Sequence, residues 1–202
     1  MIQQLYTECN AIVISLTFDG LKANLAMVKL LGATLPDKPY FNIEGVPQRV
    51  VVLMDNCHML KLIRNNLKLK SIFYNGDEKI EWKYVAKLNE VQVENGLSLA
   101  PKVGATHVNF ENAIMRVKYA VQVLSLSTAN ALEFLHQTNT DFENCLATAN
   151  FFKIVNDSFD IFNSNYVFAK YIYKKPLSST TYKIFCDRLD DLKKIIVNLE
   201  MF

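Results

Sequence analysis

The chain has 202 residues, 50% of them hydrophobic, with 22 Lys plus Arg against 20 Asp plus Glu and a formal net charge of +2. This length and apolar content mark a globular chain able to bury a core, as one large domain or two small ones. The charge balance excludes a strong long-range field for nucleic acid, so any DNA contact has to come from local clusters of cations.

The opening MIQQLYTECNAIVISL holds an apolar run of only about seven residues, without a basic region or a small-residue cleavage site, and is not read as a signal peptide. No stretch approaches the roughly 20 apolar residues of a membrane span. Cys9, Cys57, Cys145 and Cys186 form no CxxC pair and sit in apolar or helical surroundings. That usage fits reduced thiols in an intracellular protein and indicates neither zinc nor disulfides.

Asn10 to Phe18 (NAIVISLTF) is a β-branched apolar run closed by Asp19-Gly20, which predicts a buried strand ending in a turn. LKANLAMVKLLG then places Leu21, Leu25, Val28 and Leu31 at helical spacing and stops at Gly32. Leu35 to Pro47, with three prolines, is a connection. Arg49 to Met54 (RVVVLM) predicts a second strand that delivers Asp55 to its C-terminal end, and HMLKLIRNNLKLK continues as a helix with Met59, Leu60, Ile63 and Leu67 on one face. This alternation predicts an α/β layer.

From Lys70 to Glu78 the texture shifts to helical periodicity, so the expected organisation is an α/β part over residues 1–75 and a mostly α part over 76–202. Asn75-Gly76-Asp77 is a turn, and IEWKYVAKLNEV predicts a helix with Trp82, Val85 and Leu88 inward. Further helices are expected near 109–126, 128–136, 143–164 and 179–199.

Asp55 is a carboxylate at a strand end, the position where open α/β sheets build their sites. Mg²⁺ or Mn²⁺ takes hard oxygen ligands, and phosphodiester chemistry with two such ions needs several converging carboxylates. Spacing alone leaves Asp55 equally readable as the N-cap of the next helix. Asp19 also ends a strand, but Asp19-Gly20 reads better as the turn that starts a helix. On the helix after Asp55, Lys61, Arg64 and Lys68 fall at i, i+3 and i+7, a basic stripe able to follow a DNA backbone without reading its sequence, or simply a solvated face.

The run VVVLMDNCHMLKLIRNNL resembles the strand and helix carrying the second catalytic acid in P-element transposases, including the THAP-domain transposases of animals. The upstream LTFDGLKANLAMVKLLGA resembles a strand and helix that precede it, with a DG-x₃-N-x₃-KLLG pattern. By this resemblance Asp55 is a metal-binding catalytic acid of a partial RNase-H-like α/β core. His58 belongs to the same motif and reads either as a neighbour of that site or as a partly buried helix histidine. The family's first and third acids lie on segments not matched here, which implies that this chain alone does not cut DNA.

Residues from about 80 onward resemble the helical insertion domain that binds GTP in these transposases. Asn156 to Ser164 (NDSFDIFNS) is similar to the family's FD-x₂-N pattern, which implies Asp160 as the acceptor of guanine N1–H and N2–H, Phe159 as a stacking ring and Asn163 beside them. Without the resemblance Phe159 reads as a core aromatic. The matching segments LSLAPKV and IMRVKYA imply Lys102 and Lys118 as phosphate partners, with Pro101 a departure from the family pattern. No GxxxxGK[ST] loop exists, so the nucleotide implied is a structural or assembly cofactor outside the P-loop class. The resemblance further implies DNA transposition and strand transfer, transposon-end and target DNA as partners, a homo-oligomer in the full-length parent, and a nuclear location. The alternative is a domesticated or decayed derivative that binds nucleotide or DNA without catalysis.

Overall fold

The computed structural model describes residues 1–164 and 166–200. The chain divides into two compact units, Met1–Met59 and Leu60–Phe202.

The first unit comprises α1 (Ile2–Cys9), β1 (Ser15–Phe18), α2 (Lys22–Leu30), β2 (Tyr40–Phe41) and β3 (Val50–Met54). The strands lie in the order β1-β3-β2. β1 runs parallel to β3, with Ser15 opposite Val51 and Phe18 opposite Met54, and the two-residue β2 is antiparallel to β3. Parallel neighbours need a crossover, which α2 supplies. Val50 and Val52 alternate inward along β3 and meet Val28, Ala33 and Phe41 in a small core. α2 departs from expectation here: Val28 alone is buried, while Leu21, Leu25 and Leu31 are exposed. Three short strands cover little of that helix. Nor does the strand start at Asn10, because α1 closes there with Asn10 in a left-handed conformation (φ 52°).

α3 (Asn56–Lys70) starts in the first unit and has its later turns in the second. The second unit continues with β4 (Ile72–Asn75), β5 (Glu78–Glu81), α4 (Lys83–Asn95), α5 (Ala105–Val108), α6 (Val117–Val123), α7 (Leu126–Thr138), α8 (Leu146–Phe162), α9 (Tyr182–Asn198) and β6 (Leu199–Glu200). β4 pairs antiparallel with β5 and with β6. Gly76 turns the β4–β5 hairpin at φ 62°, a conformation glycine adopts without steric cost. A single large core gathers Leu67 of α3, Phe73 of β4, Tyr84, Val85 and Leu88 of α4, Leu132 of α7, and Phe151, Phe152 and Val155 of α8. The fold class is therefore α/β followed by mostly α, as expected. The division falls inside α3, ahead of the 70–78 segment where the sequence texture changes, because Leu60, Leu67 and the β4–β5 hairpin join the helical core.

The helix expected over 109–126 is broken. Residues 111–113 form a single 3₁₀ turn and α6 starts only at Val117. Arg64, fully buried, donates from Nη2 to the Ile114 carbonyl at 2.6 Å, and Lys68 donates from Nζ to the Val108 carbonyl at 2.6 Å. These two cations take carbonyls that a continuous helix would use itself. Both also lie over the Phe110 ring, at 3.8 and 4.7 Å from its centroid. Among the described residues no helix is long and apolar enough to cross a membrane.

One buried carboxylate ties α8 to α9. Asp157 is 2% exposed and accepts from Tyr171 Oη at 2.6 Å, Arg188 Nε at 2.8 Å, and Arg188 Nη2. Removing one member of a buried pair strands the other charge, at a cost of about 3 kcal/mol or more, whereas apolar replacement of both is far cheaper. Asp157→Leu should therefore cost about 3 kcal/mol in urea denaturation, and adding Arg188→Met should recover a substantial part. A double variant no more stable than Asp157→Leu would show that the pair is not coupled in this way.

Candidate functional site

A cavity of about 360 Å³ opens in the second unit, within the size range of sites for small organic ligands. Its walls come from four segments: Ala100 to Val103, residues of the α6–α7 junction between Val121 and Thr128, the α8 residues Asn156 and Asp160, and Lys174. The first wall is pinned from α4. Gln92 Oε1 accepts from Ala100 N at 2.7 Å, and Gln92 Nε2 donates to the Val103 carbonyl at 3.1 Å. Lys102 stands between these two anchors. Its loop is thus held by one side-chain amide despite Pro101.

The opposite wall is the α6–α7 junction. Ser125 caps α7 by accepting from Thr128 N at 3.2 Å, while Ser125 Oγ and Thr128 Oγ1 both donate to the Gln122 carbonyl. Asn156 spans to this junction, accepting from Leu126 N at 3.2 Å and donating to Asp160 Oδ2 at 3.2 Å. Asp160 carries a further cation, Lys174 Nζ, at 3.7 Å. Burial pushes the Asp160 carboxyl above the ordinary Asp value, partly opposed by Lys174 and reinforced by the neighbouring Asp157 charge. The cavity therefore offers one partly desolvated carboxylate, two lysines, amide groups and hydroxyls. That donor set suits a ligand with both a hydrogen-donating edge and anionic groups, such as a nucleotide.

Of the residues that the sequence singled out, Lys102 and Asp160 line this cavity. Lys118 is exposed on α6 one turn before Gln122, on the helix face that carries Val121 and Gln122 to the wall. Phe159 is not part of the lining. It packs, partly buried, against the core. Asn163 is the C-cap of α8, exposed, with its N–H bonded to the Phe159 carbonyl, and it is not part of the cavity lining. Gln122, Asn156 and Lys174 were not anticipated. Asn156 stands four residues before Asp160 and Gln122 four after Lys118, a spacing that helical periodicity could have exposed; Lys174 had no such signal.

The first unit holds the strand-end carboxylates. Asp55 N donates to the Phe18 carbonyl at 2.8 Å, extending the β1–β3 ladder, and Asp55 Oδ1 accepts from Cys57 N at 3.0 Å. Asp55 is therefore the N-cap of α3. Asp19 lies two residues before Leu21, the N-cap of α2, and its Oδ1 accepts from Leu21 N at 3.2 Å and Asn24 Nδ2 at 2.8 Å, bracing the turn that enters the helix. Since Phe18 pairs with Met54, the two acids end adjacent parallel strands side by side, and their geometry does not rank Asp55 above Asp19. Each acid uses one carboxylate oxygen of two in these contacts. Among the described residues no cluster of three or more His, Cys, Asp or Glu side chains could hold a metal ion.

The expected basic stripe is not a solvated face. Arg64 is buried against Phe110 and Ile114, and Lys68 is bound to Val108 and to Glu111 at 2.5 Å. Lys61, half-buried, remains of the three. The i, i+3, i+7 spacing put them on one face correctly, but that face turns inward onto residues 108–114.

The family model described as TNP-like, GTP-binding insertion domain matches residues 57–176. This chain belongs to the P-element-like transposases. The human DNA transposase THAP9 is 32% identical over 194 residues, 93% of this chain and 21% of that protein. The Drosophila melanogaster transposable element P transposase is 34% identical over 117 residues, 57% of this chain and 15% of that one. Among solved structures, the Drosophila P element transposase strand transfer complex superposes with a TM-score of 0.85 at 27% identity, covering 96% of this chain and 44% of that chain. The chain thus spans about a fifth of the human relative. The matched span of this P-element-like transposase starts inside α3, as the compact second unit does.

The raised Asp160 pKa fixes a sign. Its carboxyl favours the protonated form in the fold, a contribution fully present below the ordinary Asp value of about 3.9 and lost as pH rises through the folded-state value. Asp160→Asn should therefore raise the Tm at pH 7, and the gain should vanish below about pH 4. Thermal melts at both pH values check this; a lower Tm at pH 7 would show that Asp160 is kept for stability.

Proposed function

We propose that the helical unit of this transposase chain binds GTP, and that the first unit contributes a metal-binding carboxylate edge of an RNase-H-like core to DNA strand cleavage and transfer in the whole protein. The reading of the nucleotide rests on one observation: Lys102 and Asp160, from segments far apart in the chain, share one cavity. An Asp carboxylate accepts both N1–H and N2–H of guanine, a two-point contact that adenine does not offer. Asp160 would hold the base edge, with Asn156 orienting its carboxylate. Lys102 would meet phosphate, and Lys118, one turn out along α6, would meet the far end of the triphosphate. The serine and threonine hydroxyls of the α6–α7 junction are further partners for polar ligand atoms. The nucleotide would act as an assembly cofactor outside the P-loop class.

For the metal, Mg²⁺ or Mn²⁺, the fit is partial. Asp19 and Asp55 supply two hard-oxygen donors on adjacent strand ends, and a two-metal site needs more. When bound, such ions stabilise the attacking and leaving oxygens of a phosphodiester displacement. The remaining acids would come from other parts of the whole transposase, whose partners would be transposon-end and target DNA, acting in the nucleus as a homo-oligomer. Lys61 would be the DNA-facing cation left on α3.

Calorimetry of the chain with GTP and ATP tests the nucleotide reading. GTP should bind and ATP should not, and Asp160→Asn should abolish GTP binding while leaving the fold intact by circular dichroism. No heat with GTP from the folded chain refutes it. In the whole transposase, strand cleavage should be lost in Asp55→Ala and in Asp19→Ala; cleavage retained in Asp55→Ala but lost in Asp19→Ala moves the metal role to Asp19.

A further inference from the structure

The cavity wall contains a side chain whose hydrogen-bonding polarity is fixed from behind. His107 is 7% exposed. Its Nδ1 accepts from Gly104 N at 3.2 Å, so the proton of the neutral ring resides on Nε2. Nε2 lies 2.8 Å from Gln122 Oε1 and must donate to it. Gln122 therefore turns its carbonyl oxygen toward His107, and its NH₂ occupies the other branch of the amide. The backbone beneath is held as well, since Ser125 and Thr128 both donate to the Gln122 carbonyl, at 2.8 and 3.0 Å. Among the described residues the buried side-chain polar atoms without a partner are Arg64 Nη1 and Glu81 Oε2, and the Gln122 NH₂ is not one of them. Gln122 lines the same cavity as Asp160.

We propose that Gln122, locked in one orientation by His107, is the donor that reads the 6-position of the purine and selects a carbonyl over an amino group. This rests on the nucleotide reading above. Asp160 supplies acceptors for N1–H and the 2-amino group, and Gln122 supplies a donor for O6, so the two side chains complete the hydrogen-bonding edge of guanine. Adenine would set its 6-amino group against the Gln122 NH₂, donor against donor. An unsupported glutamine could flip and accept from adenine. His107 prevents the flip, because rotation would set the Nε2–H donor against an NH₂. His107 is thus a positioning residue and Gln122 a binding one.

The test uses calorimetry of the full chain with GTP and with 2,6-diaminopurine riboside triphosphate, which keeps the 2-amino group but carries a 6-amino group in place of O6. Gln122→Glu retains the acceptor for His107 and the shape of the side chain while replacing the donor by an acceptor. It should lower the ratio of GTP to diaminopurine affinity by at least about tenfold, the worth of one hydrogen bond and the avoided repulsion. His107→Leu should lower the same ratio while Gln122 is still present. Gln122→Leu, which should bring the ratio down as well, serves if Gln122→Glu does not fold by circular dichroism. An unchanged ratio in a folded Gln122 variant that still binds GTP overturns the proposal and leaves the GTP reading intact. A wild-type chain that binds neither nucleotide overturns the GTP reading itself, and this proposal with it.

Discussion

Two carboxylates stand one turn apart on the same buried side of α8, and much of the second unit is arranged around the need to accommodate both. Asp157 and Asp160 repel each other in an environment that disfavours charge. The fold treats them differently. Asp157 is fully engaged by Arg188 and Tyr171, which fastens α9 and the segment before it to α8. Asp160 receives an amide from Asn156 and a more distant lysine, with its carboxyl pKa raised. One acid is built into the structure, and the other is left at the edge of a cavity. Asn156 links them, since its amide nitrogen reaches both carboxylates while its oxygen secures the start of α7. The same side chain thus sets helix packing and the geometry of the candidate site.

How much of this the sequence disclosed depended on whether the determining contacts were local. β3, the C-terminal half of the first strand, the first turns of α3 and the inward set Trp82, Val85 and Leu88 at and after the start of α4 follow from runs and periodicity, and each appears where expected. The hairpin strand Glu78–Glu81 was missed because only Ile80 and Glu81 of it are buried, too short an alternation to compete with the helical pattern that follows. The failure over 109–126 has a tertiary cause. Arg64 and Lys68, far back in the chain, capture the carbonyls of Ile114 and Val108, and no local window contains that information. That contact also explains why the basic stripe was misread. Helical spacing says which side chains share a face but not which way the face points.

The site residues show the same division. Asp160 and Lys102 follow from the resemblance and lie on one cavity, whereas Phe159 of the same motif packs against the core and Asn163 is the exposed C-cap of α8, neither in the lining. A difference of one residue rotates a helical side chain by about 100°, so adjacent residues such as Phe159 and Asp160 face different surroundings. The residues that complete the wall, Gln122 and Asn156, are uncharged amides without a motif of their own. Their role becomes visible only once His107 and Leu126 are seen behind them.

The two strand-end acids of the first unit raise a different question of economy. Asp55 caps α3 and Asp19 braces the turn entering α2, and each task needs a single oxygen acceptor that Ser, Thr or Asn also supplies. A purely structural account of this edge therefore explains an acceptor at each position without requiring a carboxylate at either. What a carboxylate adds over an amide or hydroxyl at such a position is charge. The same logic separates Asp160 from Asp157: where a carboxylate is fully neutralised by the chain it serves the fold, and where its charge is left without a full complement it is available to a ligand.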